Sequence, residues 1–210
     1  MVLLSDPRVV NIPVLDCGEP LVEIAAVSAV ALDPRERDEA GGYGRVRAGV
    51  LDRLRSASEK LPRGIRFLVI EGHRSLAEQT RRFALYEDRL RLSGITDPAE
   101  RRRRASAFVA PVEVAPHCAG SALDLTLIDA DGIELDMGGP VNGHRTGDEI
   151  TCPLDAPGLS TAARGNRNLL TQCLNEEGFV NYPSEWWHWS YGDRYWAFMT
   201  GARAAVYGPI

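Results

Sequence analysis

Several things are missing from this sequence, and each absence excludes a class of protein. No apolar run approaches the roughly twenty residues that a helix needs to cross a bilayer, so no membrane span is expected. The opening Met1-Val-Leu-Leu-Ser-Asp-Pro has no basic region, no long apolar core and no cleavage site before charge appears. It does not read as a signal peptide, and the expectation is a cytoplasmic protein. Positive charge is not in excess: the formal net charge is −5, which gives no reason to expect nucleic acid as a partner. The four cysteines (17, 118, 152 and 173) form no CxxC pair. They match neither a zinc-knuckle spacing nor the disulfide framework of a small secreted domain, and they read as free thiols in a reducing compartment. Repeats, low-complexity tracts and internal linkers are absent as well.

What is present is ordinary globular composition, 44% hydrophobic and 25% charged over 210 residues. That suits one domain with a real core. Within 1–210, residues 1–64 read as N-terminal extended segments and a helix, and 65–200 as the core. Residues 8–31 read as extended, with a turn around Gly18 to Pro20. The polar, glycine-rich stretch 33–44 is a loop, with Tyr43 a candidate exposed aromatic. Val46, Val50, Leu54, Ala57 and Leu61 recur at helical steps and predict a helix over about 45–60. Pro62 and Gly64 stop it, and residues 65–70 make a short buried strand.

A capping box, Ser75 with Glu78, opens a helix to about residue 92, with Leu76, Phe83, Tyr86 and Leu90 facing inward. Asp97 and Pro98 open another. Its Arg101-Arg-Arg-Arg104 run points around most of the helix circumference, and no aromatics interleave with it, so it reads as a salt-bridged surface. Ala122 to Ile128 is strand-like, with Asp124 and Thr126 on one face. A turn at Asp129-Ala-Asp-Gly132 leads to a second hairpin strand over 133–137. Residues 138–157 form a long irregular loop, of a length often tied to function. A helix over 160–177 and an aromatic run, Trp186 to Tyr191, follow.

Histidine is rare: 73, 117, 144 and 188. Two of the four stand in notable company. His117-Cys-Ala-Gly120-Ser-Ala122-Leu-Asp124 brackets a turn into a strand, and Glu185-Trp-Trp187-His188 follows some sixty residues later. Two imidazoles and a carboxylate supply three ligands, the number a catalytic Zn²⁺ site uses while keeping one position open. Glu185 is placed to face a metal-bound water. Cys118, next to His117, reads as a small hydrophobic filler. Glu71-Gly-His73-Arg74 sits where a buried strand ends, well placed to line a pocket.

H-x-x-G-x-A-x-D followed by E-x-W-H resembles the signature of the zinc D-Ala-D-Ala peptidases. These include the vancomycin-resistance D-alanyl-D-alanine dipeptidases and related D,D-carboxypeptidases. Asp124-Leu-Thr-Leu, Asp136-Met-Gly, Glu185-Trp-Trp-His-Trp-Ser-Tyr-Gly-Asp and Glu71-Gly-His-Arg74 point to the dipeptidase branch. The match runs from about residue 65 to 196, with weaker likeness at Asp6-Pro-Arg and Gly18-Glu-Pro-Leu.

The resemblance implies an α+β fold of the zinc D,D-peptidase (Hedgehog/DD-peptidase-like) type, a small, mostly antiparallel sheet flanked by helices. It also implies one Zn²⁺ per chain held by His117, Asp124 and His188, with Glu185 as catalytic base and Arg74 stabilising the transition state. The expected substrate is D-Ala-D-Ala or a similar small D-amino-acid dipeptide. The alternatives are a D,D-carboxypeptidase acting on peptidoglycan stem-peptide precursors and, from another class, a non-catalytic zinc-binding protein. Oligomeric state is left open. The chain departs from the family pattern twice. Ala115 stands where a serine is expected, two residues before the first ligand histidine. Asn142 stands where an aspartate would meet the substrate's ammonium group, with Asp148 or Asp155 as possible stand-ins.

Overall fold

The computed structural model describes residues 2–36, 38, 40–106, 109–143 and 149–210. Its centre is a five-stranded sheet in the order β2-β4-β5-β7-β6, built from Val30–Leu32, Arg66–Glu71, Ala122–Ile128, His188–Ser190 and Val180–Asn181 respectively. Only the β2–β4 pair is parallel. A separate antiparallel ribbon joins β1 (Leu21–Glu23) to β3 (Arg45–Arg47). The helices are α1 (Pro7–Val10), α2 (Ala48–Ser58), α3 (Leu76–Leu92), α4 (Pro98–Ala105), α5 (Thr161–Asn175) and α6 (Arg194–Thr200). No described helix is long and apolar enough to cross a membrane. The architecture is α+β, as expected.

The two faces of the sheet have different work. Phe67, Val69, Leu123, Leu125 and Leu127 pack into one core with Val50 and Leu54 of α2 and Leu170 and Leu174 of α5. The period-two alternation of strands then puts Asp124 and Thr126 on the opposite face. Strand β4 obeys the same alternation until its last residues, where the register slips between Val69 and Glu71. A slip of one residue turns side chains to the other face. It brings Glu71 opposite Asp124, and Asp124 in turn pairs with His188. Three polar residues therefore stand in one row across three strands, all buried.

Some expectations from the sequence need correction. Arg8 lies in a helical turn, α1, not an extended segment: Asp6 caps it and Pro7 fills its first position. The helix expected over 45–60 begins at Ala48, because Arg45–Arg47 pairs with β1 instead. The hairpin return over 133–137 shrinks to a bridge between Ile128 and Glu134 and one hydrogen bond from Leu135 N to Leu127 O. Tyr43 is buried, with its hydroxyl accepting a hydrogen bond from Arg82. Leu76 is exposed rather than inward, and Gln79 takes the buried place on that first turn.

Two buried arginines hold loops rather than surface partners. Arg47 donates to the carbonyls of Glu19, Ala119 and Gly208 and to the Asp16 carboxylate. Arg167, on α5, donates to the carbonyls of Met137, Thr151, Pro153 and Leu154. A second, smaller core of Leu4, Val9, Val114, Tyr182 and Tyr195 fastens the N-terminal segment beside β6. None of the four cysteines forms a disulfide. The arginine run on α4 is spent on Glu100, Glu113 and the carbonyls of Ile95 and Thr96.

Candidate active site

His117 belongs to a short helical turn, Pro116–Ala119, that ends on Gly120 with φ +64°. That left-handed conformation is nearly free for glycine and costly for other residues. A Cβ there would also come within 2.5 Å of the Leu21 side chain. The turn aims the His117 ring back toward the sheet, where its Nδ1 lies 2.7 Å from the Gly72 carbonyl oxygen. A carbonyl can only accept, so Nδ1 carries the proton and Nε2 presents a lone pair. Nε2 sits 3.3 Å from Asp124 Oδ1.

His188 arrives from β7, directly across the ladder from Asp124. Its Nδ1 lies 3.0 Å from the same Oδ1. Its Nε2 is buried and without a hydrogen-bond partner among the described residues, so Nδ1 is the nitrogen offered to the cluster. One donor atom from each of His117, Asp124 and His188 lies within 4.8 Å of the others, and all three residues are buried. In a tetrahedral zinc site with bonds of about 2.0–2.1 Å, donors stand roughly 3.3 Å apart. The two separations from Asp124 Oδ1 and the donor types fit that ion. Burial alone would push the Asp124 carboxyl upward, but without an ion the two imidazoles, when protonated toward it, outweigh burial and hold it well below the usual carboxylate range.

Glu185 is brought to the same place by a tight turn. His188 N donates to Glu185 O, Tyr182 N to His188 O, and the Asn181 amide to both carbonyls. The Glu185 carboxylate ends 4.0 Å from His188 Nδ1. Arg74 stands on the facing wall. Its Nε donates to Glu71 Oε1 at 2.5 Å and its Nη1 to Gln79 Oε1 at 2.6 Å, while Gln79 is tied to the Ala110 carbonyl. Nη2 makes no hydrogen bond among the described residues, and Arg74 lines the cavity. Arg74 thus makes a salt bridge with Glu71 and also stands in the cavity wall.

These groups line one cavity of about 460 Å³, which contains His117, Asp124, His188, Glu185 and Arg74. Cys118 is not among the donors. It is fully buried, and burial pushes its thiol up to about 11, so it is a neutral filler as expected. His73 does not line the cavity, and His144 lies outside the described residues. Ala115 and Asn142 both line the cavity, at the two places where the chain departs from the family pattern. Asn142 holds φ +59°, a conformation asparagine tolerates better than most side chains. Of its suggested stand-ins, Asp155 is exposed and away from the cavity, and Asp148 lies outside the described residues.

A profile of the D-Ala-D-Ala dipeptidase family, peptidase M15, matches residues 50–200. The chain belongs to that family. The D-alanyl-D-alanine dipeptidase of Synechocystis sp. is 30% identical over 241 aligned residues that cover 95% of each chain. The D-alanyl-D-alanine dipeptidase of Escherichia coli K12 is 40% identical over 72 residues, 34% of this chain and 35% of that one. Among solved structures, VanYB in complex with D-alanine-D-alanine is similar at a TM-score of 0.44 and 17% identity, over 79% of this chain and 82% of that one. The LdcB LD-carboxypeptidase gives 0.48 and 16%, over 90% and 77%. Those two likenesses are loose, and membership rests on the sequence matches. As a family member the chain is a zinc metallopeptidase.

Sequence reasoning missed several residues that hold this M15 site in shape. Gln79 braces Arg74, the Gly72 carbonyl sets the His117 tautomer, and Asn181 pins the Glu185 turn. None carries a pattern signal, because each acts through a backbone atom or a partner brought close only by the fold.

Proposed function

We propose that this M15 peptidase hydrolyses D-Ala-D-Ala or a closely similar small D-amino-acid dipeptide. In this reading His117, Asp124 and His188 hold one zinc ion, Glu185 is the general base, and Arg74 stabilises the transition state. The observation that carries it is the convergence of three donor atoms in a cavity whose wall also bears a carboxylate and a guanidinium. A non-catalytic zinc-binding protein would have no use for those two groups.

Zinc bound to this triad supplies Lewis acidity, polarising the scissile carbonyl and bringing the pKa of a coordinated water to about 7. The rest is the work of the chain. The Glu185 carboxylate takes the proton of the attacking water and delivers it to the leaving amine, a role typically worth about 10²–10⁴-fold. The Arg74 guanidinium, held by Glu71 and Gln79, faces the negative charge that grows on the carbonyl oxygen. The Gly72 carbonyl keeps the His117 lone pair directed at the cluster. The sheet behind the site excludes water, since Trp187 and Trp189 on either side of His188 are fully buried. The buried core mixes residues from 1–64 with residues from 65–200, which supports one catalytic unit over the chain. Free thiols support a reducing, cytoplasmic setting.

A second reading, removal of a terminal D-residue from a longer stem-peptide precursor, is favoured by Asn142, which lacks the charge to pair with a free ammonium group. A stereoisomer panel of alanyl dipeptides, run beside N-acylated D-Ala-D-Ala, separates the two. The dipeptidase reading expects D-Ala-D-Ala to be cleaved fastest. Faster turnover of the blocked peptide supports the carboxypeptidase, and cleavage of the L,L isomer alone contradicts both.

A further inference from the structure

The cavity is larger than its expected substrate. It encloses about 460 Å³, whereas an alanyl dipeptide, with about a dozen non-hydrogen atoms, fills on the order of 150 Å³ at protein packing density. The surplus lies along α3. Glu78, Arg82, Leu85, Tyr86 and Arg89 all line the cavity, with Arg81 beside them. Arg82 stands four residues after Glu78, and Leu85 and Tyr86 each stand three or four residues from both Arg82 and Arg89, so one face of α3 forms that wall.

The charge on this wall is unbalanced. Glu78 is shared between Arg81, bound through both oxygens, and Arg82. Glu71 is shared between Arg74 at 2.5 Å and Arg82 at 3.3 Å. Two carboxylates thus serve three guanidiniums. Arg89 adds a fourth and has no acidic partner among the described residues. A divalent ion beside Asp124 and Glu185 would be matched by those two charges, so the excess along α3 stays positive. Its position matters too. Arg89 is roughly 20 Å along the helix from its Ser75 cap at about 1.5 Å per residue. A dipeptide backbone spans only about 7 Å, too short for its own terminal carboxylate to meet both ends.

We propose that the α3 half of the cavity is a subsite for a carboxylate carried by the substrate away from the scissile amide, with Arg81 and Arg89 as the receiving cations. The preferred substrate is then a short acidic D-peptide rather than the bare alanyl pair. This rests on the peptidase reading above and narrows its substrate class. The carboxylate can come from an acidic side chain within a dipeptide or from an acidic residue in an extension, and the two sources are tested separately.

The test compares each acid with its neutral amide isostere: D-Glu-D-Ala with D-Gln-D-Ala, D-Ala-D-Glu with D-Ala-D-Gln, and D-Glu-D-Ala-D-Ala with D-Gln-D-Ala-D-Ala. Affinity for the zinc-loaded Glu185→Gln variant is read by calorimetry, and kcat/KM by product release from the wild type. The expected result is a preference for the acid of about tenfold in at least one pair, the scale of one charge-assisted hydrogen bond. It should shrink in high salt, because Arg81 and Arg89 are exposed. Arg89→Gln and Arg81→Gln should bring the acid-to-amide binding ratio on the zinc-loaded Glu185→Gln background toward one. A ratio of one in all three pairs, or a preference that survives both substitutions, overturns the subsite. Loss of D-Ala-D-Ala hydrolysis in the wild type would count against the dipeptidase reading alone, since the binding ratios decide the subsite independently.

Discussion

Replacing Glu71 by glutamine removes one charge and almost no volume from the interior. Glu71 is 2% exposed, with Oε1 2.5 Å from Arg74 Nε and Oε2 3.3 Å from Arg82 Nη1. Burial pushes its carboxyl upward, but Arg74 beside it wins and holds it below the usual range. In Glu71→Gln the Arg74 guanidinium stays buried with only neutral acceptors. Breaking a buried pair by removing one partner costs about 3–5 kcal/mol. Because the amide oxygen can still accept a hydrogen bond, the lower end applies, about 3 kcal/mol. For a chain of this size that lowers Tm by roughly 6–12 °C. The same change loosens the group proposed to meet the transition state, and a displacement near 1 Å can cost about 10²-fold in rate. Calorimetric melting and kcat on D-Ala-D-Ala measure the two effects. A variant that melts within about 2 °C of wild type and keeps its kcat would refute the assigned role of the Glu71–Arg74 pair.

Other substitutions probe the supports of the site. Gly120→Ala forces a Cβ into left-handed backbone and within 2.5 Å of Leu21, so it should destabilise the chain by more than about 1 kcal/mol and weaken metal retention in a chelator titration. Arg167→Ala strands four carbonyls, of Met137, Thr151, Pro153 and Leu154, one buried and three partly buried; we expect a loss of roughly 2–4 kcal/mol in urea unfolding, with faster amide exchange around those residues. Glu78 is held down to about 2, chiefly by Arg81 and then by Arg82. A carboxyl depressed in the folded state adds stability above its ordinary pKa and loses it as pH falls. Glu78→Gln should therefore flatten the acid limb of stability between about pH 4.5 and about 2, by a small amount because the pair is partly exposed; an unchanged limb would contradict it.

How much of this was legible beforehand differs by residue. The cluster of His117, Asp124 and His188 was, because a metal site needs particular atoms and these three sit in a spaced motif; the strand face of Asp124 followed from alternation alone. Helices α3 and α4 announced themselves through Ser75 and Asp97, each of which accepts from the first turn of its helix. What stayed hidden was long-range. The β1–β3 ribbon is three residues a side, too short for periodicity to speak. Arg47 and Arg167 carry no sequence signal of burial, since arginine is seldom fully buried, and only the fold reveals the carbonyls they gather. The register slip before Glu71 has no local signature either, yet it decides which face that carboxylate joins.

The central claim is that His117, Asp124 and His188 bind one zinc ion while Glu185 acts on the substrate without holding the metal. Zinc per chain, measured by mass spectrometry after gel filtration in wild type, Asp124→Ala and Glu185→Ala, addresses it directly. The account predicts about one zinc in wild type and in the inactive Glu185→Ala, and close to none in Asp124→Ala. Full occupancy in Asp124→Ala, or an empty Glu185→Ala, would contradict it.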